Sequence, residues 1–193
     1  MADVLSVLLL IVMFFLSIWN AYASGFNIGM VRRNNVRGFM EYAAYSGVGL
    51  AFAGMTYVLI IAISAAAYLF SYIGISTVNY ALSLDFLVFG LLIIGFGIMI
   101  TIQSIITAYQ RRNFWSILVA GYNIFAVAFD IVMYAESFNQ AASVIKAGNS
   151  RNRGNTSVIV ILAVLVAFLI VHAAYKYGMD KAMGKTNAQV SMR

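Results

Sequence analysis

Five stretches of this chain are each long and apolar enough to cross a lipid bilayer, and that dictates what it can fold into. A crossing helix needs about 20 mostly apolar residues. Residues 4–23, 39–73, 86–108, 114–134 and 158–175 meet that requirement. The 193-residue chain keeps only short connections between them. The expected fold is an all-α integral membrane helical bundle with about five transmembrane helices, a single domain over 1–193 and no soluble domain.

Composition closes the alternatives. The chain is 63% hydrophobic and 9% charged, whereas a soluble domain carries roughly 25% charged residues. A water-soluble sphere of this size has no room to hide so much apolar surface, so a soluble, disordered or nucleic-acid-binding chain is excluded. There is no cysteine and no proline. Disulfides, thiolate metal sites and the usual helix-kinking residue are therefore absent together. Fifteen glycines leave bends possible.

The second stretch is too long for one crossing. Thirty-five helical residues would extend about 52 Å, against a hydrocarbon layer of ~30 Å. It must tilt, protrude or break. Gly74 offers an end point, and the GISTVNYALSLD segment ending at Asp85 reads as a polar connection. In the first stretch, Ala21, Tyr22 and Ala23 look like a signal cleavage site. The residues before it carry Asp3 and no Lys or Arg, the wrong charge for a secretory signal, so a true span is expected. ESFNQAASVIKAGNSRNRGN is the most hydrophilic internal stretch. Its first half can continue the fourth helix, and GNSRNRGN has loop composition. Asn155, Thr156 and Ser157 fit a glycosylation triplet, a pattern common by chance.

Basic residues in short loops set the expected orientation. Five spans put Arg32, Arg33, Arg37, Arg111, Arg112, Lys176, Lys181, Lys185 and Arg193 on one side, against Lys146, Arg151 and Arg153 on the other. The expected topology is a multi-pass cell-membrane protein with its N-terminus outside and its C-terminus cytoplasmic. Arg32, Arg33, Arg37, Arg111 and Arg112 would sit against anionic lipid headgroups, which accounts for the net charge of +6 without nucleic acid.

Polar side chains inside the spans carry the remaining information. Ser17, Asn20, Ser24 and Asn27 share a face of the first span. Gly90, Gly97, Thr101, Ser104 and Ala108 share a face of the third, and Ser116, Ala120, Asn123, Asp130, Tyr134 and Ser137 a face of the fourth. Ala43, Gly47, Ala51 and Gly54 in the second span and Ala163, Ala167 and Ala174 in the fifth form stripes without polar groups. Small stripes let helix backbones approach closely, which needs no function. The polar stripes admit a water-accessible cavity as well. In the expected orientation, Asn20, Ser24, Thr101, Gln103, Ser104 and Ser116 fall in the cytoplasmic half, Asn123 near the midplane and Asp130 in the outer half. Together they describe a polar column across the membrane.

Ionisable residues at membrane depth are functional candidates by default. Asp130 lies on the polar stripe and could attract a cation or relay a proton. Its alternatives are a hydrogen-bonded interfacial carboxyl or a partner for a fourth-loop arginine. Glu136 lies beyond the span and reads as solvated. Glu41 lies one turn from Arg37 and suits an ion pair. His172, the single histidine, is a possible proton or ligand site, although a packed core histidine is the more ordinary reading. Trp19, Trp115, Tyr22, Tyr109, Tyr134 and Tyr175 near span ends fit an aromatic belt.

Catalytic chemistry finds no purchase. The sequence has no phosphate-binding loop, no H-E-x-x-H and no G-x-S-x-G. Asp130 and Glu136 point about 120° apart around a helix, and one histidine without cysteine leaves a transition metal short of ligands. No cofactor, metal site or enzyme activity is expected. Two functions fit. One is a channel or transporter passing small ions or solutes between spans one, three and four, with a homo-oligomer enclosing the path. The other is an accessory subunit whose polar stripes grip partner helices in a larger membrane complex.

Overall fold

The computed structural model describes residues 4–34 and 39–184. Among them every regular element is helical: α1 (Val4–Arg33), α2 (Phe39–Leu69), α3 (Ile75–Asp85), a π-helical turn (Phe86–Gly90), α4 (Leu91–Arg111), α5 (Phe114–Ala147) and α6 (Ser150–Ala182). The π turn joins α3 to α4 without a break, so five long apolar helices span 7–33, 43–69, 75–111, 114–147 and 150–182. This is the expected all-α membrane bundle.

The helices exceed the bilayer. Thirty-four residues of α5 extend about 51 Å at 1.5 Å per residue. α2 turns into α3 and α5 turns into α6 at the same end of the bundle, where Thr77 and Asn152 meet. There the chain departs from the sequence reading. α2 stops at Leu69, and Ser71 takes a left-handed conformation (φ 60°). Gly74 does not end a span; it caps the start of α3. The polar segment after it is helix, with Thr77 and Asp85 buried on one face and Ser76 and Asn79 left exposed on the other. Thr77 Oγ1 donates to Asn152 Oδ1 at 3.0 Å, both residues buried. GNSRNRGN is likewise not a loop beyond its first residues. Asn149 accepts from the Asn152 backbone N–H at 2.9 Å, capping α6 so that it begins at Ser150. The glycosylation triplet therefore lies inside a helix, with Thr156 buried.

Packing is led by small residues. α1 lies against α2 and α6. At Gly25, an added Cβ would collide with the carbonyl oxygen of Tyr175, and at Gly178 with that of Tyr22. Gly29 lies one turn on from Gly25, so α1 presents a G-x-x-x-G edge on which α6 rests backbone to backbone. The alanine stripes behave as expected. Ala43, Ala51, Ala163 and Ala167 are all buried. Gly47 faces the Ser24 hydroxyl and Gly54 that of Ser17. Ala21, Ala51, Met55, Ala167 and Val171 form one core cluster; Ala53, Ile60, Phe89, Ile159 and Ala163 form a second, nearer the α3 end.

α5 sits at the edge. It packs on α4, α3 and the π turn, and among the described residues none of its Cα atoms comes within 8 Å of one in α1. Its outer face is apolar and exposed from Phe114 to Phe138.

Candidate functional site

Between α1 and α5, over a floor of α2 and α4, lies a cavity of about 320 Å3. Ser17 and Asn20 of α1, Gly97 and Thr101 of α4, and Asn123 and Asp130 of α5 line it. Thr101 Oγ1 donates to Gly97 O at 2.9 Å and lies 3.3 Å from Asn123 O, tying α4 to α5 at its centre. Among the described residues, the side chains of Asn20, Asn123 and Asp130 make no hydrogen bond or ion pair. Polar groups left without protein partners beside a space of this size are what water fills.

A second cavity of about 410 Å3 continues toward the α4–α5 connection. Gln103, Ser104, Thr107 and Arg111 of α4, Asn113 before α5, and Ser116 of α5 line it, and it shares Ile100 and Asn123 with the first. The two adjoin through those residues, so that a track with polar side chains set in a largely apolar lining runs from Arg111 to Asp130. Asn113 holds the start of α5 in place, its side chain accepting from the Ser116 N–H at 2.7 Å.

The expected column is thus partly assembled and partly corrected. Asn20, Thr101, Gln103, Ser104, Asn123 and Asp130 meet along one track. Ser24 does not join them: it is buried at the α1–α2 contact against Gly47. The track ends near Asp130. One turn beyond Asp130, Tyr134 stacks on Phe86 with centroids 5.0 Å apart. Tyr134 is therefore a packing residue at the π turn. Tyr175 also turns inward and donates to Met179 Sδ at 3.4 Å.

His172 lies elsewhere. It is exposed on the outer face of α6, stacked on Phe168 at 5.6 Å, beside a separate apolar groove with Tyr45 and Phe52. It is not a packed core residue. Arg32 donates to Tyr45 Oη at 2.8 Å and Arg33 to Ala182 O at 3.5 Å, so both help tie α1 to its neighbours. Arg111 and Arg112 are exposed, and Arg112 sits 5.6 Å over the Tyr109 ring. Arg37 and the side chain of Glu41 lie outside the described residues. Among the described residues, no cluster of His, Cys, Asp and Glu has the makings of a metal site.

Sequence reasoning missed Asp85. It is 1% exposed, and neither carboxylate oxygen has a hydrogen-bond partner. Its position at the end of a polar segment made it look like loop. The signal was the four-residue spacing of Thr77, Ala81 and Asp85, one helical face.

No family model, curated protein or solved structure matches this chain.

Proposed function

We propose that the protein is a small channel or transporter that passes small ions or solutes along the track between α1, α4 and α5. One observation carries the reading. Hydrogen-bonding side chains from three separate helices, Asn20, Thr101 and Asn123, converge with Asp130 on a single cavity, and the side chains of Asn20, Asn123 and Asp130 have no protein partner among the described residues. Stripes that serve only as helix glue bond across their interfaces; these amides do not. Asp130, the one carboxylate on the track, supplies negative charge and favours a cation or proton. The Phe86–Tyr134 stack just beyond it has the place of a gate.

With the basic residues of the α1–α2 and α4–α5 connections in the cytoplasm, the track opens to the cytoplasm and narrows toward the outside. Arg111 and Arg112 are placed to meet anionic headgroups at that mouth. The cavity also opens sideways, because among the described residues no Cα of α5 comes within 8 Å of one in α1. A second copy closing that gap gives the enclosed path that transport needs.

The same sideways opening favours the second reading, an accessory subunit receiving a partner helix between α1 and α5. Flux assays separate the two. Purified protein in liposomes passes small cations or solutes, and Asp130→Asn reduces or reselects that flux. Absent flux, or flux unchanged in Asp130→Asn, defeats the transport reading. A stoichiometric partner after mild solubilisation then supports the accessory one.

A further inference from the structure

Among the described residues, the buried side-chain oxygens without a hydrogen-bond partner belong to Ser64, Asp85 and Thr156. They come from α2, α3 and α6 and are 0%, 1% and 1% exposed. Topology brings them to one level. Ile60, Phe89 and Ile159 pack in one cluster. Ser64 follows Ile60 by four residues, Asp85 precedes Phe89 by four, and Thr156 precedes Ile159 by three. Each step is one turn along the same face. Each also leads toward the same end of the bundle, because α2 runs opposite to α3 and α6 there and Thr77 is bonded to Asn152. The orphaned oxygens thus form a layer between the apolar cluster below and the Thr77–Asn152 pair above.

Buried polar groups are paired in the great majority of cases, and exceptions point to an ion or water. A buried carboxylate without a counter-charge is the costliest exception. Among the described residues, no lysine, arginine or histidine pairs with Asp85. The donor set is all oxygen, one carboxylate and two hydroxyls, which suits a hard cation. A single negative charge balances a monovalent ion, whereas a divalent ion would leave buried excess charge. The π turn begins at the next residue, Phe86, a distortion frequent at functional sites.

We infer that Asp85, Ser64 and Thr156 form an internal binding site for a monovalent cation, distinct from the Asp130 track and on the far side of the Phe86–Tyr134 stack. The site does not depend on the transport reading.

Thermal unfolding of the full chain in nanodiscs tests it, with NaCl, KCl or N-methylglucamine chloride at constant ionic strength and pH. The wild type gains a saturable rise in midpoint with Na+ or K+ over N-methylglucamine. Asp85→Asn loses that response. The Ser64→Ala, Thr156→Val double variant, which keeps the carboxylate, raises the half-saturating concentration about tenfold. A wild-type midpoint indifferent to Na+ and K+ overturns the inference, as does an Asp85→Asn protein with the full response. A midpoint that follows pH and ignores the cation assigns a proton as the counter-charge and also overturns it. If Asp85→Asn fails to fold, the double variant decides, and unchanged half-saturation counts against the site. Because the readout is binding, absent flux in liposomes leaves the result intact.

Discussion

The Tyr134 hydroxyl donates a 2.9 Å hydrogen bond to the Leu87 carbonyl oxygen, in the middle of the π turn. A π turn breaks the regular i→i−4 ladder of its helix, and α5 supplies the Leu87 carbonyl with a donor. The same ring stacks on Phe86 and lies against Gly90. Tyr134 is thus the clamp that holds the junction of α3 and α4 against α5.

Tyr134→Phe isolates the hydrogen bond, since the ring and its stacking remain. It should cost about 1 kcal/mol of stability, and Tyr134→Ala roughly 3 kcal/mol or more. Reversible unfolding in detergent measures both. Equal stability of wild type and Tyr134→Phe would show that the Leu87 carbonyl finds another partner at no cost.

The α1–α6 contact makes a sharper prediction. At Gly25 and Gly178 the nearest atoms a Cβ would meet are all backbone, which cannot move aside as a flexible side chain can. Gly25→Ala and Gly178→Ala should each destabilise by roughly 1–3 kcal/mol. Gly121, also mid-helix, has nothing within 4 Å of the added atom. Gly121→Ala should be neutral or stabilising by up to about 1 kcal/mol. Similar effects at all three positions would mean that α1 and α6 are not in backbone contact.

Topology follows from the basic residues and is checked on single-cysteine variants, since the chain has no cysteine of its own. Lys176→Cys should react with an impermeant thiol reagent only after the membrane is permeabilised, and Arg153→Cys in intact cells. Asn155 should carry no glycan even in a secretory pathway, because its triplet is helical and Thr156 is buried. The reverse labelling pattern would invert the proposed orientation.

The bundle was legible because apolar runs of this length have one outcome in lipid. The alanine stripes were legible because small residues on one face mark close helix approach, and Ala163 and Ala167 are where that spacing put them. Hydropathy failed at α3 and at the start of α6 for a shared reason. It scores transfer to lipid, so it counts Thr77 and Asn152 as solvent-seeking, whereas they satisfy each other inside the protein. Asp85 was lost with that segment. Ser24 shares a stripe with Asn20, but the stripe is wide enough to straddle the α2 contact and the cavity, and Gly47 takes the Ser24 side. For His172, the helix that carries it was readable, but which way the ring faces depends on where α2 packs.

The central claim is that Gln103, Asn123 and Asp130 face one hydrated track while their neighbours on α5 face lipid. Impermeant thiol labelling of Gln103→Cys, Asn123→Cys, Asp130→Cys, Leu118→Cys and Phe125→Cys in liposomes tests it most directly. The account predicts fast modification at the first three positions from the side bearing Arg111, and negligible modification at Leu118 and Phe125, whose side chains are exposed on the outer face of α5. Unreactive cysteines at all five positions would contradict a water-filled path, as would equal rates on the two faces of α5.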